Sequence, residues 1–202
     1  MSQVAIAGGL LLMLAMATVG VSAFAVSRLV PAHTTCTVNC GPRLVTPLSE
    51  SSTYHSANFK FEVDYSSDWT VRTQDANGIS LGTKLGHVEV MGMKSGTPLD
   101  QLLQATVAAL PSATWQDVAM ISDLKGAHIG DQDGAGAVYA ANLVQADATA
   151  VKVRFAVIAA TKGGASVVIF AVNPAVVKGY PHGMPEGLDF DYLCQEFRWA
   201  PA

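Results

Sequence analysis

NFKFEVDYSSDW, residues 58–69, alternates apolar and charged side chains: Phe59, Phe61, Val63 and Tyr65 fall between Lys60, Glu62 and Asp64. A period of two is that of a strand with one face buried and the other wet. Ser66-Ser67-Asp68 supplies a turn, and Trp69 opens a second short strand, Trp69 to Thr73. A chain that begins this way is building an antiparallel sheet, because only a solvated sheet face tolerates such alternation.

Downstream the pattern repeats. Asn77-Gly78 signals a tight turn, and Ile79 to Leu81 and His87 to Met93 read as two further strands. Thr97-Pro98-Leu99-Asp100 reads as a helix start: Thr97 as cap, Pro98 at the first helical position, Asp100 in the first turn. Leu99, Leu102, Leu103, Val107 and Leu110 then share one face at helical spacing, and Pro111 stops the helix. Val118 to Leu124, Ala137 to Gln145, Val151 to Ala160 and Ser166 to Val172 read as strands, the last two as a hairpin over Thr161-Lys162-Gly163-Gly164. Val167-Val168-Ile169-Phe170 is apolar on both sides, as in a strand covered on both faces. After the Gly- and Pro-rich loop 178–187, a closing helix from Asp189 places Phe190, Leu193, Cys194 and Phe197 on one face. The fold class expected is α+β: an antiparallel sheet with helices packed on its faces, over residues 58–202.

Upstream lies a segment of another kind. Met1 to Ser27 carries no charged side chain, and Val4 to Val26 supplies 23 residues rich in Leu, Ala, Val, Met and Gly. About 20 such residues cross a bilayer core as a helix. Residues 1–28 are therefore expected to be one N-terminal transmembrane anchor, meeting the lipid bilayer through residues 4–26. Two alternatives stand beside it. Val21-Ser22-Ala23 offers a signal-peptide cleavage site, although no basic residue precedes the apolar run and that run is long for a signal. A buried core helix would be expected to keep a polar face, which this segment lacks. Residues 29–57, with Pro31, Pro42 and Pro47 among many Ser and Thr, read as a linker holding the domain off the bilayer.

Composition narrows function. The net charge is −4 and 14% of residues are charged, so no basic footprint for nucleic acid exists. Cys36 and Cys40 form a C-x3-C pair beyond the anchor, a candidate disulfide that requires an oxidising compartment. A half zinc site is a poorer reading, since no second Cys/His pair follows at finger spacing. Two unpaired thiols are the remaining alternative. Cys194, on the apolar face of the closing helix, reads as a small hydrophobe, with a partnership to Cys36 or Cys40 left open. Arg28 and Arg43 follow the anchor with no basic residue before it, which by charge alone would place the domain in the cytoplasm.

The run Phe59-x-Phe61-x-x-x-Tyr65-Ser66-Ser67-Asp68-Trp69 resembles the opening of the PsbP-like superfamily. Phe190-Asp191-Tyr192-Leu193-x-x-x-Phe197-Arg198-Trp199 is similar to that group's ending. Ser67 departs from the group's usual proline. The resemblance implies an α/β/α sandwich about an antiparallel sheet, and a binding or assembly role outside the cytoplasm more often than catalysis. It transfers no catalytic residue, and it makes Phe59, Tyr65 and Trp69 core aromatics. Together with the cysteine pair, the linker and the Val-Ser-Ala site, it outweighs the two arginines and sets the domain on the extracytoplasmic side.

Motifs of chemistry fail on inspection. Asp131-Gln132-Asp133-Gly134 resembles the start of a calcium loop, but Asn142 stands where the twelfth-position Glu should be. Gly134-x-Gly136 lacks the third glycine of a dinucleotide fingerprint, so the segment reads as a solvated turn. His33, His55, His87, His128 and His182 form no H-x-x-x-H pair. No catalytic, cofactor or metal residues are therefore assigned. The expected function is a non-catalytic, membrane-anchored binding or accessory module with a protein partner in the membrane or envelope. The alternative is a secreted or anchored hydrolase with a site near the 178–187 loop.

Overall fold

The computed structural model describes residues 50–175, 177 and 183–199. The expected anchor (4–26) and the Cys36–Cys40 pair lie outside the described residues, as do residues 178–182 of the 178–187 loop. Among the described residues no helix is long and apolar enough to cross a membrane.

In chain order the strands β1 (Ser51–His55), β2 (Phe61–Ser66), β3 (Thr70–Gln74), β4 (Gly78–Gly82) and β5 (His87–Lys94) lead to helix α1 (Leu99–Ala108). Then come β6 (Trp115–Asp123), β7 (His128–Ile129), β8 (Gln132–Val144), β9 (Ala150–Lys162) and β10 (Ala165–Pro174). Helix α2 (Gly187–Gln195) and β11 (Arg198–Trp199) close the fold. An eight-stranded antiparallel sheet runs β3-β4-β5-β10-β9-β8-β6, with β7 attached to β8. A second sheet, β1-β2-β11, is small and also antiparallel.

The α+β expectation holds, and β10 is the fully buried central strand that its apolar sequence requires. Its hairpin with β9 turns on Gly163 and Gly164 at φ 58° and 84°, a conformation that favours glycine at both positions. The opening alternation also holds, with Phe61, Val63 and Tyr65 buried along β2.

Two expectations need correction, and two hold with added detail. The linker over residues 29–57 gives way at Ser51, where β1 pairs β2 in register from Ser51↔Ser66 to His55↔Glu62. In Ser-Ser-Thr-Tyr-His only Tyr54 is buried, so an edge strand of this kind leaves no hydrophobic periodicity to read. Helices pack on both faces of the large sheet as expected: α1 on one face, and α2 on the other, where the small sheet lies beside it. Thr97 does not cap α1. Pro98 occupies the cap position, with no side-chain cap hydrogen bond. The Asn77-Gly78 turn is present as expected, and Asp75 supports it: its Oδ1 accepts the N–H groups of Asn77 and Gly78 at 2.7 and 3.0 Å.

The first face buries Val88, Val90, Val167, Ile169 and Ala171 against Phe61, Leu193 and Phe197. Phe61 and Phe197 stack with ring centroids 5.0 Å apart. The second face packs Leu102 and Leu103 of α1 on Tyr139, Val153, Phe155 and Val157. Tyr65 and Trp69 are buried and Phe59 packs against the first cluster, so the three aromatics are core side chains.

Candidate functional site

The helix-bearing face changes character toward β3, β4 and β5. Strand alternation there sets Ser80 of β4 and Glu89 of β5 directly opposite each other, with Phe170 of β10 on the other flank of Glu89. His87 stands two residues along β5 on the same face, its ring centroid 6.2 Å from that of Phe170. Arg72 sits at a register shift of β3. Its guanidinium occupies the space above Gly82, where its Nε would lie 2.8 Å from any Cβ, and Nη2 reaches the Gly86 carbonyl at 3.5 Å. Glycine at position 82 is thus what gives the guanidinium room to lie flat on the sheet.

The electrostatics of this group are unusual. Glu89 is only 6% exposed, and burial dominates the state of its carboxyl. A charge removed from water is costly, so burial raises its pKa to about 7, against a smaller opposing pull from Arg72. Burial and the Arg72 charge hold His87 neutral, with a pKa near 3. Burial also lowers the Arg72 pKa, with Glu89 pulling it back up. Among the described residues the charged and titratable groups on this face beside Glu89 are Arg72 from β3 and His87 from its own strand. β4 and β10 contribute the neutral Ser80 and Phe170.

Two other polar clusters are saturated. The Glu186 carboxylate accepts from Thr83 Oγ1, from the Leu85 N–H at 3.1 Å and from Asn173 Nδ2 at 2.7 Å. The Glu186 N–H donates in turn to Asn173 Oδ1 at 2.9 Å. This clasp ties α2 to the β4–β5 connection and to β10. On the outer face of the small sheet, Arg198 donates a two-pronged contact to Asp64 at 2.6 and 2.9 Å and a third bond to Glu62 at 3.1 Å. Those bonds hold the Asp64 carboxyl below its ordinary pKa and raise that of Arg198.

Most residues singled out from the sequence play supporting parts. His182 lies outside the described residues, and the described end of the 178–187 loop is held by Arg154, whose Nη1 donates to the Gly183 carbonyl at 3.0 Å. Gly130 and Asp131 form the short turn between β7 and β8, with Asp131 paired to Lys162 at 2.6 Å, as expected of a solvated turn. The Gly-rich run that follows is strand rather than turn, because β8 pairs with β9 from Gly134 onward. Cys194 is a free, buried thiol whose pKa burial raises.

The sequence reading passed over His87 and Glu89. HVEVMGM alternates Val88 and Val90 with His87 and Glu89, and alternation alone assigns the second pair to solvent. Only the packed sheet buries Glu89 and half-buries His87.

A further surface is open. β6 is an edge strand exposed from Gln116 onward, with Met120 and Ile121 53% and 52% exposed and Val118 exposed beside them. Its pairing with β8 is interrupted by two register shifts, and Asp117 takes a left-handed φ of 54°.

No family model and no curated protein matches this chain. Its fold is similar to solved structures, among them the group that its opening and closing motifs resemble. Cyanobacterial PsbP (CyanoP) from Synechocystis sp. is 11% identical, with 80% of this chain and 99% of that chain covered and a TM-score of 0.49. The Ran-binding protein Mog1p of Saccharomyces cerevisiae is 10% identical, with 74% and 95% covered and a TM-score of 0.48. A Bacteroides thetaiotaomicron protein is 13% identical at a TM-score of 0.46; the match covers 74% of this chain and about half (48%) of that one.

Proposed function

We propose that this chain is a single-pass, membrane-anchored binding or accessory module, non-catalytic, with its domain on the extracytoplasmic side. It serves a membrane-associated complex or envelope component by accepting a strand of a protein partner along β6. The observation that carries this reading is the open β6 edge, with Val118, Met120 and Ile121 turned to solvent. Such an edge offers unpaired backbone groups together with side chains that gain from being covered. Asp117 and Asp123 bracket the apolar residues, so the complementary partner is an extended apolar segment flanked by Lys or Arg. The two register shifts discourage uncontrolled pairing between edges, which favours a dedicated partner over self-association. The apolar segment 4–26 supports the anchor, and the Pro- and Ser-rich stretch after it supports a domain standing clear of the bilayer.

Photo-crosslinking in native membranes tests the partner. A crosslinker at Ile121 is expected to capture a membrane or envelope protein that the same group at Val71, on the opposite edge, does not. Met120→Lys should remove that product while leaving stability within about 0.5 kcal/mol. Equal capture from both edges would overturn the assignment. Thiol labelling of Cys36 and Cys40 in intact cells, with reductant, tests the side; labelling only after permeabilisation places the domain in the cytoplasm.

A further inference from the structure

The sulfur atoms of the domain are unevenly placed. Cys194 is buried and free, and burial raises its thiol pKa, which withholds the reactive thiolate. Met91 and Met184 are 8% and 1% exposed, and Met93 is half-buried against the second core cluster. Met120 is different: it is 53% exposed, inside the open apolar stretch of β6 between Val118 and Ile121. Among the described residues its thioether is thus the sulfur that an oxidant in solution meets first. Its backbone pairs with Tyr139 in the short regular stretch between the two register shifts, while its side chain contributes to no core cluster. A chemical change at that side chain therefore alters the surface and leaves the packing of the domain alone.

We propose that Met120 is a reversible oxidation site, and that its conversion to the sulfoxide by hydrogen peroxide switches the β6 edge off as a docking surface. This rests on the partner reading above and adds its regulation. The thioether lone pair attacks one peroxide oxygen, and the S–O bond forms as the O–O bond breaks. The departing hydroxide takes the proton of the new S–OH and leaves as water. Sulfur loses two electrons and the peroxide gains them. The product is polar where the thioether was apolar and adaptable. A partner strand that covers Met120 would bury the sulfoxide oxygen without a donor, and an acceptor removed from water unpaired is costly. Methionine sulfoxide reductases return the thioether, so the edge is restored rather than destroyed.

The test uses the full chain in lipid nanodiscs with a photo-crosslinker at Ile121. The chain is treated with hydrogen peroxide, cleared with catalase, and mixed with untreated, detergent-solubilised native membranes. Peptide mapping should find sulfoxide at Met120 at least about tenfold ahead of Met91, Met93 and Met184. Capture of the Ile121-specific product should fall about tenfold or more, in step with the Met120 sulfoxide fraction, and return after treatment with the reductases. Met93→Leu should lose capture on oxidation just as the wild type does. A product that survives complete Met120 oxidation, even oxidation of the four methionines, or failure of the reductases to restore capture would each overturn the switch while leaving the partner reading intact. If the unoxidised chain gives no Ile121-specific product, the partner reading itself fails and the switch falls with it.

Discussion

The two faces of the large sheet come from the same strands and differ by one residue of register. Along β5, Val88 and Val90 go into a cluster with Phe61, Leu193 and Phe197, while His87 and Glu89 go to the opposite side, beside Arg72 and Phe170. The first face is a conventional interior whose main polar neighbour, the Glu186 clasp at its end, is fully bonded. The second is conventional only under α1; toward β3 it buries the Glu89 carboxyl and half-buries a neutral imidazole. One face is arranged for stability. The other keeps an arrangement that costs stability.

Three changes would break or sharpen this contrast. The largest effect belongs to the first face: Phe61→Ala removes a fully buried ring stacked on Phe197 and should cost about 3–5 kcal/mol in denaturant unfolding. A loss below about 1 kcal/mol would mean that this face is not the principal core.

The second face should respond in the opposite direction. Glu89 has a folded pKa of about 7, above its ordinary value of 4.5. The folded state therefore holds this proton more tightly than the unfolded chain does. That contribution is fully present below about pH 4.5 and is lost as pH rises through about 7. Glu89→Gln should accordingly be more stable than the wild type at about pH 8, by up to about 3 kcal/mol, with the advantage vanishing near pH 4. Unfolding midpoints across that range decide it; an equal effect at both ends would show that the side chain does not titrate as its burial requires.

The smallest effect concerns the outer face of the small sheet. Asp64 has its pKa depressed first by hydrogen bonds from Arg198, so its contribution is present above the ordinary carboxylate value and is lost as pH falls through the depressed one. Because the Arg198 side chain is 45% exposed, Asp64→Asn should cost only about 1 kcal/mol at neutral pH. The loss should shrink in acid, where the wild-type carboxyl is itself protonated. Scanning calorimetry of the pair at neutral and acid pH checks it.

Strong periodicities were legible in the sequence and weak ones were not. β2, β10 and the apolar face of α1 were readable because each carries the repeat that its own burial imposes. β1 and β11 were missed because short edge strands are specified by the partner they pair with; β11 depends on Arg198 facing Glu62 and Trp199 facing Phe61. The candidate site was illegible for a related reason. Arg72, Ser80, His87 and Glu89 come from three strands, and each read alone is an ordinary solvent-facing residue.

What the sequence determined by itself was local: an uncharged apolar stretch long enough to span a bilayer, a Pro- and Ser-rich stretch after it, and strands and helices whose repeats define an α+β domain. Which residue pairs with which, and which face is covered, was decided only by the tertiary structure. Period-two alternation tells two faces apart but does not say that both will be buried. The placement of β5 between β4 and β10 sets Glu89 between Ser80 and Phe170, and that placement converts a surface-like acid into a buried, proton-holding one.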